Sequence, residues 1–83
     1  MKLTRSDLML LADVRRDLLS GEAQSARVRA GITQAELATV VGVSRSAVSL
    51  WEGRIRVPRG PAAVRYGRLI ASLRTRQTEA GVA

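Results

Sequence analysis

Thr33-Gln34-Ala35-Glu36-Leu37-Ala38-Thr39-Val40-Val41-Gly42-Val43-Ser44-Arg45-Ser46-Ala47-Val48-Ser49-Leu50-Trp51-Glu52 decides how the rest of the chain is read. Thr33 and Glu36 form a T-x-x-E capping box, in which each side chain can satisfy an orphan amide at the start of a short helix. Leu37, Val40 and Val41 recur at helical spacing and predict the core-facing stripe of that helix. Gly42 ends it at a position that calls for positive φ, which costs glycine little. Val43 plugs the turn, and Ser44 caps a second helix through its hydroxyl. Along the second helix Ala47, Val48 and Trp51 are expected to point inward, with Arg45, Ser46, Ser49 and Leu50 on the opposite side. Ala38 is small where the two helices must approach closely.

Two short helices joined in this way make a helix-turn-helix, whose second helix enters the DNA major groove. The same residues resemble the Cro/phage-repressor, or Xre-like, family. The resemblance rests on Thr33-Gln34-x-Glu36-Leu37-Ala38, Gly42-Val43-Ser44, Val48-Ser49-x-Trp51-Glu52 and Pro58, and it spans roughly Glu22 to Pro58. Family members commonly read Trp-Glu-x-Gly after the recognition helix; here Gly53 comes one place early and Arg54 follows it. The resemblance implies a small all-α, lambda-repressor-like domain of about five helices. It also implies an ion pair between Arg27 and Glu52, because relatives pair an arginine placed like Arg27 with the matching glutamate. On the residues alone, Glu52 lies one step past Trp51, near the buried face, where an unpaired carboxylate would be costly. A surface ion pair is the alternative.

The chain has 83 residues, suited to one small domain, so residues 1–83 are read as a single helix-turn-helix DNA-binding unit. Lys and Arg number 14 against 7 Asp and Glu, giving a net charge of +7. All of these cations except Lys2 are arginine, the residue best suited to bidentate contact with phosphate and guanine. This balance implies a polyanionic partner, most simply nucleic acid. There is no cysteine and no histidine, which removes disulfides, thiolate metal sites and the commonest general base. With no phosphate-cradling glycine loop either, the sequence predicts no enzyme, cofactor, metal or small-molecule ligand. No apolar run approaches the length of a membrane span, and the amino terminus lacks a signal-peptide pattern. A reducing cytoplasm fits these features, and the resemblance makes it that of a bacterium or a phage-infected one.

Working outward, residues 21–60 are read as the motif core. Ser20 is expected to cap a helix from Glu22 to about Ala30, with Ala23, Ala26 and Ala30 as a thin apolar stripe and Gly31 as its stop. Ile32 precedes the Thr33 cap and can staple onto Leu37. Residues 4–20 predict an additional helix started by Thr4-Arg5-Ser6-Asp7. Leu8, Leu11, Val14 (or Arg15) and Leu18 form its apolar face, widened by Leu10 and Leu19, with Arg5, Asp13, Arg16 and Asp17 on the other side. That face either packs on the core or serves a dimer or partner. In the other direction Gly53–Gly60 is a basic, irregular loop. Pro61 suits the first turn of a last helix over residues 61–74. Val64 (or Arg65), Tyr66, Leu69, Ile70 and Leu73 make its apolar face, with Arg65, Arg68, Arg74 and Arg76 outside. Residues 75–83 read as a frayed tail. Trp51 is expected in the core with its indole N–H toward the DNA seam, and Tyr66 in the core with its hydroxyl at the rim. Two aromatic residues are too few for a single-strand stacking platform.

Base edges and phosphates are assigned to different residues. Arg45 has the fork that fits guanine O6 and N7, with Ser44, Ser46 and Ser49 as shorter partners. Leu50 suits a thymine methyl, or is an ordinary exposed leucine. Thr33 and Gln34, at the amino end of the first motif helix, are placed for phosphate, a role the resemblance also gives the matching glutamine. Arg54, Arg56 and Arg59 would add salt-dependent attraction to the backbone. The expected function is a sequence-specific transcriptional regulator of double-stranded DNA, most simply a Cro-like repressor occupying an operator. The alternative is a restriction–modification controller or an antitoxin, the latter gripping a toxin through its amino-terminal helix. A weak homodimer through Leu69, Ile70 and Leu73 is expected on half-sites about one helical turn apart.

Overall fold

The computed structural model describes the backbone of residues 2–82 and the side chains from Lys2 to Glu79. Among the described residues there are five helices and no strand: α1 (Arg5–Ser20), α2 (Glu22–Arg29), α3 (Gln34–Val41), α4 (Arg45–Glu52) and α5 (Gly60–Val82). Local chemistry starts most of them. Thr4 with Asp7, and Thr33 with Glu36, form reciprocal capping boxes at α1 and α3. At α4 the Ser44 hydroxyl accepts from the Ala47 amide at 3.1 Å. α3 stops at Gly42, whose φ of 84° lets its own N–H and that of Val43 reach Ala38 O at 2.8 and 3.0 Å. A side chain at Gly42 would be strained in that left-handed well. α2 starts differently from expectation: Ser20 ends α1, and Gly21 takes the α2 N-cap with no side-chain bond. The Ser20 hydroxyl still accepts from the Glu22 amide, at 3.3 Å.

One core joins all five helices. Val14 and Leu18, Ala23 and Ala26, Leu37, Ala38 and Val41, Val48 and Trp51, and Tyr66, Ile70 and Leu73 share it. Each large aliphatic side chain buried there contributes on the order of 2 kcal/mol. α5 supports the domain, packing on α1, α2 and α3. A smaller cluster of Leu11, Ala63 and Val64 under Leu10 extends the α1–α5 seam. There the helices approach so closely that a Cβ on Gly67 would lie 3.2 Å from Leu10 O, which is why this position has no side chain. The Trp51 ring tilts on Tyr66, with centroids 5.0 Å apart.

Several sequence expectations need correction. Val40 is 71% exposed: the face of α3 that packs against α4 and α5 carries Leu37, Ala38 and Val41, and these make up the buried set. For the same reason Leu8 and Leu19 are exposed while Leu10 is half-buried, since α5 lies on that side of α1. Asp17, expected on the solvent face, is buried and pairs with Arg74 Nη1 at 2.7 Å. Ala30 is exposed because α2 ends at Arg29. The Tyr66 hydroxyl is not at the rim; it is enclosed and has no hydrogen-bond partner. α5 continues through Val82 instead of fraying after Thr75. Gln77 Nε2 anchors it by donating to Ala26 O at 2.8 Å. The expected frayed tail also included Ala83, which lies outside the described residues. Finally, Ile70 and Leu73 are core residues, 1% and 6% exposed, and only Leu69 of the expected dimer surface reaches solvent in part. Residues needed to fill the monomer's core are not free to pair with a second copy.

Candidate nucleic-acid interface

α3, the Gly42-Val43-Ser44 turn and α4 form a rigid corner. Val43 is half-buried and packs on the core from the turn. Arg65 of α5 clamps the corner from behind, its Nε donating to Val41 O at 2.8 Å. A cation over the last carbonyls of α3 also suits the negative end of that helix. Val48, Trp51 and Glu52 hold α4 against the core. Its outer side presents Arg45, Ser46 and Ser49, all exposed, and the half-buried Leu50. Ser44 is exposed too, though its oxygen already serves as the helix cap.

Behind α4 lies a polar cluster. Arg27 Nε donates to Glu52 Oε2 at 2.6 Å and Nη2 donates to Oε1 at 2.9 Å, a bidentate pair with both side chains nearly enclosed. Arg27 Nη1 also donates to Ile32 O at 2.8 Å. Donating to the Glu52 carboxylate raises the arginine's pKa above its ordinary value, outweighing the opposing effect of burial. Gln34 Nε2 donates to the same Glu52 Oε1 at 3.0 Å. The carboxamide is therefore turned with its amine toward Glu52, and it is half-buried at the start of α3. Thr33 is exposed beside it, its hydroxyl accepting from the Glu36 amide at 3.0 Å. This double use of the capping box lowers the pKa of Glu36, chiefly through the Thr33 backbone amide.

The loop after α4 keeps a helix-stop geometry without the expected residue. Arg54 has φ 62°, and the Ile55 amide bonds back to Leu50 O at 2.9 Å, as in a Schellman turn. Arg54 therefore fills the left-handed position where the resembled pattern has glycine. Gly53, one place earlier, has an ordinary φ of −77°. Pro58 is buried, and its carbonyl accepts from Arg15 Nε and Nη2 at 3.4 and 3.0 Å. α1 thus braces the loop, a contact between residues 43 positions apart that no local pattern could reveal.

The ion-paired carboxylates lie mostly away from α4 and the loop that follows it. Asp7, Asp13, Asp17 and Glu22 pair with Arg68, Arg16 and Arg74 on α1, α2 and α5. Arg45, Arg54, Arg56 and Arg59 are exposed and make no ion pair among the described residues. The one carboxylate in that part of the chain, Glu52, is taken by Arg27. The exposed side of α4 and the loop beyond it consequently carry unneutralised positive charge. Arg15 and Arg65, both missed as positioning residues, carry no sequence signal beyond their charge.

A family model described as Helix-turn-helix matches residues 24–68, which takes in most of α2, all of α3 and α4, and the start of α5. No curated protein and no solved structure matches the chain.

Proposed function

The chain belongs to the Xre/lambda-repressor-like helix-turn-helix family of DNA-binding transcriptional regulators, and from that premise we propose that it is a Cro-like repressor occupying an operator. The observation that carries the reading is the exposed, unpaired face of α4 continuing into Arg54, Arg56 and Arg59, with almost every carboxylate held elsewhere. In this reading α4 lies in the major groove. Arg45 forks onto guanine, Ser44, Ser46 and Ser49 contact neighbouring edges, and Leu50 packs on a thymine methyl. Thr33 and Gln34 meet a phosphate at the positive end of α3. Glu52 orients the Gln34 amide for that contact while holding Arg27. Arg56 and Arg59 track the backbone and make binding salt-dependent, without choosing a sequence.

Selection from a random duplex library should return one preferred site, with log K falling steeply against log[salt]. Arg45→Ala should cost about 1–3 kcal/mol at a single base pair, whereas Arg56→Ala should weaken all duplexes alike and flatten the salt slope. Equal affinity for every duplex would reject the operator reading.

A further inference from the structure

We propose that an apolar groove between the end of α1 and the α4–α5 loop is a docking site for a partner protein that offers an apolar side chain flanked by carboxylates. The groove encloses about 290 Å³. Leu18 and Leu19 form one wall, Val57 and Pro58 the other, and Trp51 the floor. Leu19 is 70% exposed and Val57 53%, so each wall presents one apolar side chain to solvent, backed by the buried Leu18 and Pro58. Every charged side chain lining the groove is an arginine: Arg15, Arg54 and Arg56. Arg56 and Val57 also border a neighbouring depression that adds Ile55 and Arg59, and among the described residues no carboxylate lines either hollow. An apolar cleft ringed by one sign of charge selects an occupant of the opposite sign, as arginine clusters do for acidic motifs.

The rim is built into the fold. Arg15 ties the two walls together through its two bonds to Pro58 O. Arg54 holds a left-handed conformation that glycine would adopt without strain, at a place where its side chain joins the rim. Its guanidinium turns back toward the α1–α2 junction, with Nη2 3.8 Å from where a Cβ on Gly21 would lie. A second copy of this chain is a poor occupant. It brings the same arginine rim, and its carboxylates, Glu79 apart, are engaged by its own arginines and helix caps. The site stands independently of the operator reading. Its consequence, that an occupied groove weakens DNA binding by covering Arg54 and Arg56, rests on that reading.

Trp51 is the only tryptophan, so its emission reports occupancy of the groove. The full chain is titrated with a short amphipathic helical peptide carrying leucines at i, i+3 and i+4 and glutamates on both flanks. Versions with glutamine or lysine for glutamate, and phosphatidylglycerol vesicles, are run beside it. The glutamate peptide should shift the emission saturably, the glutamine version should bind about tenfold more weakly, and the lysine version not at all. Leu19→Ser, at an exposed position and without a change of charge, should lose about tenfold in peptide affinity while its circular dichroism and DNA binding stay unchanged. No saturable response, equal binding of the lysine peptide, preference for vesicles, or an effect confined to self-association abolished by Leu19→Ser would each overturn the proposal. A chain that takes up the peptide but binds all duplexes alike would reject the operator reading and leave the groove standing.

Discussion

Tyr66 is wholly buried, and its hydroxyl lacks a hydrogen-bond partner. Burial raises its pKa above the ordinary 10.0, and the nearby Glu52 charge adds to the effect. The native state therefore holds this proton to higher pH than the unfolded chain does. The associated stability is intact below about pH 10 and is lost as pH rises beyond it. Tyr66→Phe removes the orphan hydroxyl and should raise stability near neutrality by about 1 kcal/mol in urea denaturation. It should also move alkaline unfolding, followed by circular dichroism, to higher pH; an unmoved midpoint would assign the transition to another group. The Arg27–Glu52 pair behaves oppositely, because removing one partner strands the other. Glu52→Ala should cost about 3–5 kcal/mol, read from thermal melts, while Arg27→Met combined with Glu52→Leu should recover much of that loss. If the double variant loses as much as Arg27→Met and Glu52→Leu measured singly and added together, the residues are not coupled. At this scale the sequence told that Glu52 sits close to the core. Its partner came from the family resemblance, and the enclosure of Tyr66 from the packing of Trp51 over it.

Among the elements, the C-terminal end of α4 is where a local rule is broken. A left-handed stop normally falls to glycine, yet Arg54 occupies it and Gly53 stands one place too early to help. Arg54→Gly should relieve the strain and stabilise the domain by about 1 kcal/mol, offset in part by the greater freedom of glycine in the unfolded chain. The urea midpoint checks this, and a lowered midpoint would show that contacts of the Arg54 side chain outweigh its backbone strain. Helix starts were legible because a cap involves residues only three apart, as at Thr4, Thr33 and Ser44. The end of α5 was not legible. Its last turns are held by Gln77 reaching Ala26, a bond between residues 51 positions apart.

For the whole molecule, the decisive fact is that the apolar face of α5 is spent inside one chain. Ile70→Asp would bury a carboxylate in the common core, so it should abolish cooperative unfolding and helical circular dichroism, not merely separate two copies. A folded, monomeric Ile70→Asp protein in sedimentation would contradict this placement. The sequence by itself determined the helix order, the capped turn between α3 and α4, the inward set of α4 and the basic loop beyond it. Those features depend on residues within a turn or two of one another, or on charge that no neighbour cancels. Only the tertiary structure decided which of two adjacent apolar stripes turns inward on α1 and α3, because that depends on the side from which another helix crosses. It also decided that Asp17 meets Arg74, Arg15 meets Pro58 and Arg65 meets Val41. A charged side chain states what it needs, but which of many distant partners supplies it is set by how the helices pack.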